Sequence, residues 1–336
     1  MQILSNLSAV PYSTFRFNAK LAEVYECESL TDLQQLNFIS APVVLGEGSN
    51  TIFMQDLNVP VCRYTAKELQ ATQQKDGSVL VHVAAGYNWH ELVSWSVQQG
   101  FWGIENLALI PGTVGAAPVQ NIGAYGVELS DVCRYVDFYH WQTKTMERID
   151  ASRCQFGYRD SIFKQSLNGK GIIIAVGMQL SQTAKPVLNY KGLDHLTADV
   201  DVATVFNAVI AVRNSKLPNP NVLANCGSFF KNPVITTEHY HRLQQLQPSI
   251  PGFTLADGNI KVPAAWCIDQ QGFKGHQLGD VGCYELQPLV LVNRGRGTAS
   301  QLRQLIADIQ LKVLNAYGIK LEPEVRMLNE DGSVNG

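Results

Sequence analysis

At 336 residues the chain is longer than one compact domain usually grows, and with 46% apolar and 16% charged residues it has a globular composition, unlike a disordered segment. A formal net charge of -3 gives no electrostatic reason to expect binding to nucleic acid or to an anionic membrane surface. No apolar run approaches the roughly 20 residues that cross a bilayer, and residues 1–17 lack the basic start and apolar core of a secretory signal, so a cytoplasmic protein without a membrane or nucleic-acid partner is expected.

Taken in chain order, Pro42 to Leu45 is a short apolar run that ends in Gly46-Glu47-Gly48-Ser49-Asn50, the pattern of a buried strand feeding a tight loop. A second apolar run, Val79 to Ala84, is followed by Gly86. Leu92, Val93 and Val97 then fall on one helical face that starts at Trp89 and stops at Gly100. From Ile110 to Gly126 neither helical nor strand periodicity survives. Strands are predicted at Tyr135 to Trp141 and Gly171 to Leu180, with Phe156-Gly157-Tyr158-Arg159-Asp160 between them, and a helix at Val205 to Val212. Lys216-Leu217-Pro218-Asn219-Pro220 breaks that helix and marks a domain boundary. Beyond it lie a small-residue loop, Asn225 to Pro233, an apolar strand predicted over Leu286 to Asn293, and a helix carrying Leu302, Leu305, Ile306, Ile309 and Val313, capped at Gly318. The mixture predicts an α+β architecture.

Glycine and alanine let backbone approach a ligand closely and expose runs of N–H groups, for which a pyrophosphate is the obvious guest. The Gly46 to Asn50 loop alone would serve equally as a tight turn. The longer loop is more specific: its small residues are stiffened by Pro111, Pro118 and Ile122, as expected of a segment packed against a flat or extended cofactor. No GxGxxG follows a strand, so a Rossmann fold is not expected. Seven cysteines, odd in number and never spaced CxxC, predict free, mostly buried thiols. His239 and His241 have no acidic or cysteine neighbour in sequence, so no metal is expected.

Six stretches together carry a family resemblance: Leu45-Gly46-Glu47-Gly48-Ser49-Asn50, Ile110 to Pro118, Gln120 to Gly126, Tyr158-Arg159, Gly227-Ser228-Phe229-Phe230-Lys231-Asn232-Pro233 and Glu322-Pro323-Glu324-Val325-Arg326. In this order, and over almost the full length, the chain resembles the UDP-N-acetylenolpyruvoylglucosamine reductases. The resemblance implies a vanillyl-alcohol-oxidase-type FAD-binding region of two subdomains, residues 1–66 and 67–215, and a C-terminal α+β substrate domain, residues 216–336. It implies bound FAD, NADPH as co-substrate, a UDP-sugar enolpyruvate as substrate and one pocket used by both in turn. The cofactor contacts it implies are Gly46, Gly48, Ser49, Asn50, Pro111, Gly112, Thr113, Gly115, Ala116, Gln120, Gly123, Ala124 and Tyr125.

Carried over from intact motifs, Arg159, Ser228 and Glu324 become the catalytic trio. Reducing an enol ether conjugated to a carboxylate requires a hydride for one carbon, stabilisation of the resulting enolate and a proton for the other carbon. Arg159, with its permanent charge and planar fork, would oppose the enolate charge. Ser228 would donate the proton, helped by Lys231 or a water, and Glu324 would hydrogen-bond to or protonate the enolate. In an extended segment Glu322, Glu324 and Arg326 share one face and Leu321, Pro323 and Val325 the other. Tyr158, Tyr190, Lys216, Asn232 and Gln287 are the implied substrate contacts, with Tyr190 on a loop over the diphosphate, while Arg213 reads as structural. Taken without the resemblance, Arg159 reads as a surface ion pair, Ser228 as a turn serine and Glu324 as part of a solvated strand face. A flavin oxidase that passes electrons to oxygen and a non-catalytic UDP-sugar sensor are the rival functions. The first would need a base against a substrate hydroxyl, and the second would not need the trio. No exposed apolar pattern demands a partner subunit, so a monomer is expected.

Overall fold

The apolar run at Gly171 becomes strand Gly171–Ser181, the centre of a five-stranded antiparallel sheet. Its neighbours are Cys133–His140 and Ser78–Ala84, and Met146–Asp150 and Leu69–Gln73 form the edges. A central strand is covered on both faces, which is why this one is apolar nearly throughout rather than alternating. Val79, Val81, Val83, Val136, Phe138, Ile173, Val176 and Met178 bury one face against helix Trp89–Gln98. Asn88 caps that helix by accepting the Glu91 N–H at 3.0 Å, and Leu92 and Val93 point into the core as their spacing predicts. A smaller sheet pairs Lys20–Cys27 and Val43–Val44 in parallel with Val61–Tyr64. Its core, Cys27, Leu33, Leu36 and Cys62, closes on Tyr139 and Ile172 of the larger sheet.

The computed structural model describes residues 1–335. Both sheets belong to a first compact unit comprising Met1–Leu7, Leu21–Gly48 and Asn58–Ser215. A second unit comprises Ser8–Lys20, Ser49–Leu57 and Lys216–Gly336. Thus Ser8–Lys20 and Ser49–Leu57, which the sequence leaves with the N-terminal region, pack instead with the C-terminal part. Phe15, Phe17, Ile52 and Met54 share one buried cluster with Phe229, Phe230, Leu291, Val325 and Met327, and strand Thr51–Phe53 pairs in parallel with Arg326–Leu328.

The second unit also contains an antiparallel sheet, Ala224–Ser228, Val290–Asn293, Val281–Cys283 and Gln277–Leu278 in that order, against helix Ala299–Tyr317, and a small sheet of Val234–Ile235, Ile260–Lys261 and Phe253–Thr254 with helices Thr237–Leu246 and Ala264–Gln270. Leu302, Leu305, Ile306, Ile309 and Val313 are buried along one stripe of the helix. Thr298 and Gln301 form its capping box, and Gly318 ends it at φ 64°. The strand predicted over Leu286 to Asn293 begins only at Val290. Pro288 offers no N–H to a ladder, and a turn from Gln287 to Val290 leaves Leu286 exposed. All seven cysteines are buried and free. Burial pushes the thiols of Cys133, Cys154, Cys226, Cys267 and Cys283 up to about 12, so they are unreactive at neutral pH.

Candidate active site

Within the first unit the two glycine-rich loops meet. A Cβ on Gly46 would sit 2.6 Å from Thr113 Oγ1 and 3.6 Å from the Ala116 Cβ. The Gly46 carbonyl accepts from Arg63 Nε at 3.1 Å, and Arg63 is held in turn by Glu26 at 2.6 Å. The long loop lies along the turn that leads into helix Trp89–Gln98. Trp89 N–H donates to the Gly112 carbonyl, Val114 N–H to Tyr87 and Gly115 N–H to Ala85, each at 2.9 Å. A Cβ on Gly115 would lie 2.5 Å from that of Ala85 and 3.2 Å from its Cα and carbonyl oxygen, so only glycine allows this approach.

Val114–Gln120 forms 3-10 turns that end at Asn121, in the left-handed region at φ 44°. Its side-chain amide donates to Glu128 Oε2 at 2.7 Å and to the Gly157 carbonyl at 3.2 Å, and its Oδ1 accepts the Ser130 N–H at 2.9 Å. Asn121 was not among the candidates, although its place between Gln120 and Ile122 is where a left-handed asparagine would end a helical turn. Gly123–Ala124 then pairs with Val127–Glu128 across Tyr125 and Gly126, both at positive φ, which is the two-residue hairpin turn that matches strand twist.

The Tyr158-Arg159 pair forms a tight turn of its own, closed by Gly157 and Asp160. Arg159 sits at φ 55°, a conformation that costs a long side chain about 1 kcal/mol or more. It is held there: Arg159 Nη2 donates to the Gly123 carbonyl at 2.8 Å, Lys164 Nζ donates to the Arg159 carbonyl at 3.2 Å, and Ser161 Oγ donates to the Val119 carbonyl at 2.7 Å. The structure therefore brings Arg159 onto the loop of the implied cofactor contacts, with its guanidinium 5.4 Å from the Tyr158 ring centre. Tyr190 joins the same side, its ring 5.0 Å from that of Tyr125. Burial raises the Tyr125 phenol above its usual range, so it stays protonated. Arg213 is structural here, donating to the Leu109 carbonyl at 3.1 Å, while His90 Nδ1 accepts the Leu109 N–H at 3.1 Å. Burial, and the charge of Arg213, hold His90 below the usual imidazole range and keep that nitrogen an acceptor.

The second unit carries the other residues. Ser228 ends strand Ala224–Ser228 after Gly227, at φ 69°, and an extra residue in the register between Asn225 and Ser228 makes a bulge that re-aims the strand end. Ser228 is exposed, whereas Phe229 and Phe230 are buried at its side as anchors. The Glu322-Pro323-Glu324 segment runs next to it: Lys231 N–H donates to the Glu322 carbonyl at 2.9 Å and Glu324 N–H to the Phe229 carbonyl at 2.8 Å. Leu321 and Val325 are buried as the alternation predicts, whereas Pro323, placed on the same face, is half-exposed like Glu324 and Arg326, and Glu322 is exposed. Asn50 braces this segment, its amide nitrogen 3.2 Å from the Glu324 carbonyl and its own carbonyl accepting from Arg326 N–H at 3.0 Å. Ser49 lies next to Asn50, where Thr14 Oγ1 approaches its carbonyl at 3.5 Å. Lys231 Nζ pairs with Glu322 at 3.4 Å.

Of the implied substrate contacts here, Asn232 Oδ1 accepts the Ala264 N–H at 2.9 Å, at the start of helix Ala264–Gln270. Gln287 sits half-buried in the turn before Val290, and Lys216 is exposed at the end of helix Val202–Lys216.

Residues 219–328 match the model of the UDP-N-acetylenolpyruvoylglucosamine reductase C-terminal domain, and residues 41–147 match that of an FAD binding domain. UDP-N-acetylenolpyruvoylglucosamine reductase from Pasteurella multocida is 45% identical over 97% of both chains, and that of Vibrio cholerae 43% identical over all of this chain and 97% of its own. The chain belongs to the UDP-N-acetylenolpyruvoylglucosamine reductase family. The crystal structure of the reductase from Thermus caldophilus, at 21% identity, superposes with a TM-score of 0.70 over 97% of this chain and 99% of its own, so the fold is shared as well. The architecture is that of the family: an α+β protein with a vanillyl-alcohol-oxidase-type FAD-binding region followed by the reductase domain. Both glycine-rich loops fall inside the FAD-domain match, and Ser228 and Glu324 inside the reductase-domain match, whereas Arg159 and Tyr190 lie between the two.

The loops of this reductase fit FAD chemically. They present backbone and small side chains, and the nearby carboxylates of Glu47 and Glu128 are each turned to an asparagine amide of the protein, from Asn88 at 2.9 Å and Asn121 at 2.7 Å. Gly115→Ala is expected to displace the long loop from Ala85 at a cost of about 1–3 kcal/mol, which, if borne wholly by cofactor binding, is roughly fivefold to a hundredfold in flavin affinity. The ratio of flavin to protein absorbance after purification, and after addition of FAD, measures it.

Proposed function

We propose that the chain catalyses the NADPH-dependent reduction of UDP-N-acetylglucosamine enolpyruvate to UDP-N-acetylmuramate in peptidoglycan precursor synthesis, with Arg159, Ser228 and Glu324 as its catalytic residues. When bound, FAD would supply the hydride, which originates from NADPH and is needed at the terminal carbon of the enolpyruvyl group. Gly46, Gly48, Ser49, Asn50, Pro111, Gly112, Thr113, Gly115, Ala116, Gln120, Gly123, Ala124 and Tyr125 would hold the cofactor, the backbone amides of the two loops suiting its pyrophosphate.

As the hydride adds, charge develops on the conjugated carboxylate. The Arg159 fork opposes that charge, and because a peptide carbonyl and a strained turn already fix the guanidinium, little reorganisation is needed when the charge appears. The Glu324 carboxyl hydrogen-bonds to the enolate, and the Ser228 hydroxyl gives its proton to the carbon next to the carboxylate. A hydroxyl is a weak acid, so its proton must be replaced; Lys231, three residues on and paired with Glu322, is the nearest cation in sequence to do so. Tyr158, Tyr190, Lys216, Asn232 and Gln287 bind the UDP-sugar, Asn232 through its amide nitrogen. NADPH and the UDP-sugar use one pocket in turn, and simultaneous binding of both in an equilibrium titration would refute this. We place the enzyme in the cytoplasm as a monomer; no helix among the described residues is long and apolar enough to cross a membrane.

The observation that carries this reading is the main-chain bonding between the segment after Ser228 and the segment bearing Glu324, with Glu324 N–H on the Phe229 carbonyl and Asn50 Nδ2 on the Glu324 carbonyl, which supports a hydroxyl and a carboxyl held on neighbouring backbone. The test is a stopped-flow trace of the yellow protein, reduced anaerobically with NADPH and mixed with the UDP-sugar. Rapid return of the oxidised flavin spectrum with formation of UDP-N-acetylmuramate is expected. A flavin that stays reduced until oxygen enters would point to an oxidase instead.

A further inference from the structure

Asn106 lies outside every motif used above, in the 3-10 turn Glu105–Leu107, and has no exposed surface. Its amide nitrogen donates twice, to the Tyr125 carbonyl at 2.8 Å and to the Val187 carbonyl at 2.9 Å. The first belongs to the hairpin turn of the cofactor loop, and the second opens the segment that leads to Tyr190. The two acceptors are therefore brought together by one side chain. Beside them a Cβ on Gly126 would lie 3.2 Å from Val187 Cγ1, and the rings of Tyr125 and Tyr190 are in contact.

The segment from Gln182 to Asp201 is anchored elsewhere by apolar side chains, Leu193 in the core of the larger sheet and Leu188, Leu196 and Val200 against Trp102, Val202 and Val205, but the Asn106 bond to Val187 ties it to the cofactor loop by its backbone. It contains no helix or strand and is exposed or half-exposed throughout, except for the buried Leu193, whose N–H donates to the Tyr190 carbonyl at 2.9 Å. The Oδ1 of Asn106 is buried with no hydrogen-bond partner. An apolar residue of the same shape would avoid that cost, so packing alone does not account for an asparagine here, whereas the pair of donated bonds does.

We propose that Asn106 is the positioning residue that holds the Tyr190 segment on the Tyr125 turn, and thereby sets where Tyr190 meets the UDP-sugar. This rests on the reading of Tyr190 as a substrate contact. Both are hydrogen bonds from the Asn106 amide to main-chain carbonyls, so a side-chain substitution at Val187 or Tyr125 leaves the acceptors in place. Only a change at Asn106 removes both bonds.

The test uses the flavin-loaded full chain with Asn106→Leu, and Asn106→Ser should the leucine variant not accumulate as folded protein. Flavin content and the rate of flavin reduction by NADPH are expected to stay within about twofold of the parent, while KM for the UDP-sugar rises roughly tenfold and kcat changes less. Limited trypsin digestion gives a readout independent of turnover. Lys191, exposed and followed by glycine, is expected to be cleaved about tenfold faster once the bracket is lost, whereas Lys185 is protected by Pro186 in both proteins. In a Tyr190→Ala background, Asn106→Leu should add almost nothing to KM. Unchanged KM and cleavage would overturn the proposal, as would loss of flavin together with both half-reactions, which would make Asn106 a builder of the cofactor loop. Full additivity with Tyr190→Ala would also overturn it. If Tyr190→Ala alone leaves KM unchanged, the reading of Tyr190 fails and takes the substrate half of the proposal with it, while faster cleavage at Lys191 still supports the bracket itself.

Discussion

Replacing Ser228 by alanine is expected to leave reduction of the flavin by NADPH nearly intact and to slow reoxidation by the UDP-sugar by about a thousandfold, within the range of roughly 10²–10⁴ that a positioned proton donor contributes. The asymmetry follows from the chemistry: NADPH gives up a hydride and needs no proton from the protein, whereas the enolate left by hydride addition to the substrate must be protonated on carbon. The substitution should not disturb the fold. Ser228 is exposed at the end of its strand, and the position is fixed by its buried neighbours Phe229 and Phe230 and by the main-chain bond from Phe229 N–H to the Leu289 carbonyl at 2.8 Å. Rapid-mixing traces of the two half-reactions separate the outcomes. If both half-reactions fail together, the serine is doing something other than donating a proton.

How far such residues can be read from a chain depends on whether their neighbours are local. The stripe of helix Ala299–Tyr317 and its glycine cap are visible as spacing, because a helix face is set by residues three and four apart. Strand Gly171–Ser181 is visible as an unbroken apolar run because both its faces are covered. The glycine-rich loops stand out because close backbone approach admits few residue types, as Gly115 against Ala85 illustrates. What spacing could not reveal is long-range pairing. Nothing near Phe15 or Ile52 says that they belong with Phe229 and Met327, nor that Asn50, carried over as a cofactor contact, bonds to the main chain on both sides of Val325. Asn106, Asn121 and Arg63 share that condition: each is a side chain bonded to carbonyls or carboxylates remote in sequence, and a lone polar residue carries no pattern of its own. The shortened strand before Asn293 is a different case, since Pro288 stood in the sequence and lacks the donor a ladder needs.

Glu324→Gln is expected to cut turnover with the UDP-sugar by about a hundredfold or more, again leaving flavin reduction by NADPH close to the parent rate. Glutamine keeps the length and volume of the side chain, and the main chain that carries it is held independently, by Glu324 N–H on the Phe229 carbonyl, Asn50 Nδ2 on the Glu324 carbonyl and Arg326 N–H on the Asn50 carbonyl. Leu321 and Val325 remain buried beneath it. A loss of rate therefore reports the carboxyl group and not a displaced backbone, and unchanged thermal unfolding of the flavin-bound protein checks this. The variant also separates two ways of acting. An amide N–H can still donate a hydrogen bond to the enolate but cannot give it a proton, so a loss of only a few fold would assign Glu324 to hydrogen bonding. A loss approaching that of Ser228→Ala would make proton supply the role of both residues. In that case the double variant should be little worse than either single one, because side chains that serve one proton transfer fail as a unit.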